Sequence, residues 1–121
     1  MKKNTVKKLK CEIFPVIITF FLGMSAEDIH SYLESNTEHS ATVIRLLNLT
    51  TPAYTLSMVN HGEIFVNINE DYLDNPGYIA HECFHATEYT MEYVGIKHGE
   101  KSSECFAYFL TYLINALYEK V

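Results

Sequence analysis

The ten residues from Ile13 to Leu22, IFPVIITFFL, carry no charge and are dominated by β-branched and aromatic side chains. The run is too short to cross a bilayer as a helix, which takes about 20 apolar residues. Its β-branched content and its stop at Gly23 instead predict a central strand buried on both faces. With 121 residues the chain is long enough for one hydrophobic core and too short for two domains of ordinary size, so residues 1–121 are read as a single domain.

The lysines that precede the run, Lys2, Lys3, Lys7, Lys8 and Lys10, give it the outline of a secretory signal. Met24-Ser25-Ala26 is a poor small-x-small cleavage site, so residues 1–10 are read as a flexible, solvated basic leader and the protein as cytoplasmic, with secretion as the alternative. The formal net charge of -6 excludes a nucleic-acid partner, because phosphate neutralisation needs a broad basic surface. No membrane association is expected either. Cys11, Cys83 and Cys105 match neither a zinc ribbon nor a redox pair and are read as reduced, mostly buried thiols.

After the apolar run, Ser25 is placed to cap a short helix in which Glu27 and Asp28 suit the first turn and Ile29, Tyr32 and Leu33 form a stripe. Residues Ala41 to Leu49 are β-branched and apolar enough to predict a strand. Tyr54 to Val59 and Glu63 to Ile68, separated by Asn60-His61-Gly62, predict a β-hairpin. From Asp74-Asn75-Pro76, a capping side chain followed by Pro in the first turn, one long helix is expected up to Gly95. A second helix is expected over roughly Glu100 to Glu119. The fold class is therefore α+β, with a small mixed or antiparallel sheet packed on these two helices.

Within the long helix stands His81-Glu82-Cys83-Phe84-His85, an H-E-x-x-H pattern. Residues four apart share a helix face, so both imidazoles can reach one zinc ion at about 2 Å. Glu82 lies roughly 100° round the helix, near that ion without being forced to bind it. The plain alternative is a solvated stripe shared with Glu88 and Glu92. A third ligand is available in Glu104, whose simpler role would be to complement its own helix N-terminus. His98 and Glu100, in or near the turn between the helices, compete for the same place. Cys83 points nearly opposite His81 and is a poor ligand.

The set His81, Glu82, His85 and Glu104 resembles the gluzincin branch of zinc metallopeptidases, and the order of elements is similar to small zincin-like proteins of bacteria and phages. The resemblance implies a minimal zincin-like domain in which His81, His85 and Glu104 bind zinc and Glu82 is the catalytic base. It also implies that an extended peptide lies along an edge strand, here Glu63 to Asn67 or Tyr54 to Val59. Two departures stand out: Tyr108 occupies the place where gluzincins often carry a supporting Asp, and Glu88 and Met91 rule out the metzincin pattern. No further lobe is expected beyond the glutamate helix to wall a substrate cleft.

The expected function is zinc-dependent hydrolysis of a peptide or protein substrate, with Tyr108, Tyr112 or His98 as candidates to stabilise the oxyanion. The alternative is a non-catalytic zinc-binding accessory or adaptor protein.

Overall fold

The computed structural model describes residues 1–58 and 61–119. The apolar run becomes strand β2, Ile17–Leu22, whose last five residues are all buried. It is shorter than expected. Ile13 is 67% exposed, and residues from Cys11 to Val16 form a turn closed by the Cys11 amide donating to the Val16 carbonyl at 3.1 Å. Pro15, which has no amide hydrogen to give to a sheet, lies in that turn.

β2 pairs in parallel with β4, Glu63–Ile68, in register from Ile17 opposite Glu63 to Leu22 opposite Ile68. Parallel strands need cover on both faces, and both strands have it. Ile18, Phe20, Val66 and Ile68 face one core, and Phe21 and Phe65 face another. β3, Ala53–Met58, pairs antiparallel with β4 and is an edge strand. β1, Thr5–Lys10, pairs antiparallel with β2 at the other edge, so the order is β1-β2-β4-β3. The sheet is mixed, which decides between the two arrangements the sequence left open. Val59 and Asn60, at the end of the predicted hairpin strand and in its turn, lie outside the described residues. Gly62, in the same turn, has φ +63°, and a Cβ there would come within 2.9 Å of the Pro15 carbonyl oxygen.

The basic leader is thus corrected to an edge strand. Val6 and Leu9 pack against opposite cores while Lys8 and Lys10 stay exposed, and lysines on an edge discourage pairing with other chains. Lys7 has a further task. Its Nζ donates to the carbonyls of Ala116 at 2.6 Å, Leu117 at 3.3 Å and Glu119 at 3.0 Å, the unpartnered acceptors at the end of the last helix. Replacing it by Met keeps the stem and removes the cap. Lys7→Met is expected to lower stability by about 1–2 kcal/mol in urea unfolding, and an unchanged midpoint would show that the cap is idle.

Two helices cover one face. α1, Ala26–Asn36, starts where Ser25 Oγ accepts from the Asp28 amide at 3.1 Å, and it buries Ile29 and Leu33. α2, Ser40–Leu46, replaces the strand expected over Ala41 to Leu49. Val43 and the capping residue Leu47, one turn apart, are both buried against Phe21 and Phe65. That i, i+4 pair fits a helix laid on a sheet, and tertiary packing of this kind overrides the β-propensity of Thr42, Val43 and Ile44.

α3, Pro76–Tyr93, and α4, Ser103–Tyr118, cover the other face. Asn75 Oδ1 caps α3 by accepting from the amides of Gly77 at 3.0 Å and Tyr78 at 3.2 Å. The helix ends at Gly95, where φ +80° and the Ile96 amide bonding back to the Met91 carbonyl at 2.8 Å turn the chain. Ile79, Cys83 and Ala86 of α3 meet Phe109 and Leu113 of α4 in the core above β2 and β4. Among the described residues no helix is long and apolar enough to cross a membrane.

Candidate metal centre

His81 and His85 stand on the middle of α3, one turn apart, His81 exposed and His85 half-buried. Their Nε2 atoms are 3.1 Å from each other, with the rings nearly perpendicular at 78°. Two nitrogens bound tetrahedrally to one zinc at 2.0–2.1 Å would lie about 3.3 Å apart. The pair therefore already holds the spacing that a shared metal requires. Both rings are reachable from solvent, with side-chain exposures of 64% and 41%.

Glu82 faces differently. Roughly 100° further round the helix it points at the sheet, where it is buried at 5% exposure. Its Oε1 accepts from Thr55 Oγ1 at 2.7 Å, while Oε2 lies 3.8 Å from His81 Nε2. Thr55 is on β3, so the edge strand grips the carboxylate that the motif helix presents. One oxygen of Glu82 is held and the other is directed at the histidines.

Glu88 and Tyr89 complete this face. The Glu88 Oε1 lies 3.1 Å from His85 Nδ1, and the Tyr89 ring stacks on His85 with centroids 6.5 Å apart. Burial, followed by the nearby Tyr54, Glu88, Glu92 and Glu82, pushes the Tyr89 phenol up from its ordinary range, so it is a neutral hydroxyl at neutral pH. Cys83, on the far side of α3, is buried in the core. Its thiol is pushed up to about 12 by burial, with Glu82 adding to the shift, and its burial is as expected from the sequence.

The third expected ligand is placed apart from this group. Glu104 is exposed in the first turn of α4, on a stripe with Tyr108, Thr111 and Asn115. Its neighbour Cys105 has its sulfur 3.9 Å from that of Met91, in the last turn of α3. His98 packs edge-on against Phe106, with ring centroids 4.7 Å apart, and Glu100 is exposed in the inter-helix turn. Among the described residues, no group of three His, Cys, Asp or Glu side chains converges to hold a metal.

Of the residues suggested for the oxyanion, Tyr108 is 72% exposed and Tyr112 packs against Phe109 with ring centroids 5.7 Å apart. Sequence reasoning missed Thr55 and Tyr89 as members of the site, and it placed Glu88 on the histidine face only as part of a solvated stripe. Glu88 and Tyr89 were within reach of it, since three and four residues after His85 share its face. Thr55 had no local signal, because its contact with Glu82 spans 27 residues.

No known protein family, curated protein or solved structure matches this chain. The function therefore rests on the geometry of the His81, Glu82 and His85 face.

Proposed function

We propose that this chain is a zincin-like zinc metallopeptidase of gluzincin type, in which His81 and His85 bind the metal and Glu82 is the general base. The observation that carries the reading is the 3.1 Å separation of the two Nε2 atoms with the free oxygen of Glu82 3.8 Å from one of them. Zinc bound there would polarise a carbonyl and bring the pKa of water to about 7. Glu82 Oε2 takes the proton of the attacking water and passes it to the departing amine. Thr55 keeps Oε1 occupied, so the carboxylate is oriented before substrate arrives. β3 is the sheet edge beside α3, which favours Ala53–Met58 over the internal β4 as the strand along which an extended peptide pairs. Tyr89, neutral and stacked on His85, is the donor we assign to the developing oxyanion in place of Tyr108, Tyr112 or His98.

Glu104, exposed in the first turn of α4, is the proposed third ligand. Protein purified without added metal is expected to hold about one zinc per chain. Glu104→Gln is expected to weaken zinc binding by at least about tenfold, with His98→Ala and Glu100→Gln close to wild type. The opposite ranking would move the third ligand into the turn between the helices. Absence of zinc uptake at micromolar metal would overturn the metal centre altogether.

A further inference from the structure

We propose that Glu88 is a positioning residue of this centre: its carboxylate fixes the proton of His85 on Nδ1 and thereby keeps the Nε2 lone pair turned toward His81. The proposal rests on the reading of His81 and His85 as ligands. A neutral imidazole carries one N–H and one lone pair, and which nitrogen carries the hydrogen is set by the partner of the other. An ionised carboxylate only accepts. With Glu88 Oε1 3.1 Å from His85 Nδ1, the hydrogen of a neutral His85 belongs on Nδ1, and Nε2, 3.1 Å from its counterpart on His81, is left as the donor of electrons to a metal.

The arrangement also restrains the ring. Glu88 is three residues after His85 on the same helix, so it shares that face and limits rotation of the imidazole about its bond to Cβ. A supporting carboxylate normally orients a metal-binding histidine in this way. α4 carries Tyr108 where the resemblance would have placed an acidic support, and the motif helix supplies one from its own next turn. The pair is nearly half exposed, with side-chain exposures of 41% and 47%, so in water it contributes little to folding. Its role lies in orientation rather than in stability.

The test uses the full chain as wild type, Glu88→Gln and Glu88→Ala. Zinc affinity is measured by competition with a chromophoric chelator, and the imidazole tautomers of the metal-free proteins by nitrogen-15 NMR. Glu88→Ala is expected to weaken zinc binding roughly 10–100-fold, and Glu88→Gln, which keeps a neutral acceptor oxygen, by less. Metal-free wild type is expected to show His85 with its hydrogen on Nδ1, and Glu88→Ala a gain of the Nε2–H form. The melting temperature without metal should not move. Glu88→Ala binding zinc as tightly as wild type, or showing unchanged tautomers, would overturn the role of Glu88 while leaving the centre intact. Wild type that takes up no zinc would instead overturn the centre on which this role depends.

Discussion

Glu82→Gln is expected to keep zinc content and melting temperature near wild type while slowing cleavage of a mixed peptide library by at least about 100-fold. The substitution conserves size and leaves an amide oxygen in the place of Oε1, so the bond donated by Thr55 at 2.7 Å survives and no buried hydroxyl is left without a partner. What disappears is the capacity of the second oxygen, beside His81, to accept a proton. Turnover and zinc content are thereby separated. A wild type that holds zinc and cleaves nothing in the library would favour the adaptor reading. Loss of zinc from Glu82→Gln would make Glu82 a ligand or a structural prop instead, and the roles within the motif would have to be reassigned.

Phe20→Ala and Phe21→Ala are each expected to lower folding stability by about 3–5 kcal/mol, measured as the shift of the urea or guanidinium transition. Adjacent residues of a strand point to opposite faces, and here both are at most 1% exposed. Phe20 packs in the core beneath α3 and α4, and Phe21 in the one beneath α1 and α2, where it stacks on Phe65 at 6.3 Å and meets Tyr32 edge-on at 5.7 Å. A loss of that size is a large share of the roughly 5–15 kcal/mol that holds a typical domain together. The comparison matters more than either value. If Phe21→Ala cost a small fraction of Phe20→Ala, the α1 and α2 layer would not be firmly packed on the sheet, and the three-layer arrangement would fail.

The sequence by itself determined the features whose causes act within about one helical turn or one hairpin. Ser25 and Asn75 cap α1 and α3, Gly95 ends α3, and Gly62 turns β3 into β4, each legible from a few neighbouring residues. The spacing of His81 and His85 places two imidazoles together for the same reason, since any helix brings i and i+4 onto one face. Only the tertiary structure decided the rest. Residues 40–46 form α2 because Val43 and Leu47 have a sheet face to cover, which their local β-propensity could not disclose. The lysine-rich start is β1 because β2 offers it an open edge and the end of α4 offers Lys7 three carbonyl acceptors, more than 100 residues away in the chain. Thr55 meets Glu82, and Cys105 meets Met91 in the last turn of α3, because strand order and helix docking set those neighbours. Contacts of this range depend on which surfaces bury one another, and that is a property of the assembled layers rather than of any short stretch of chain.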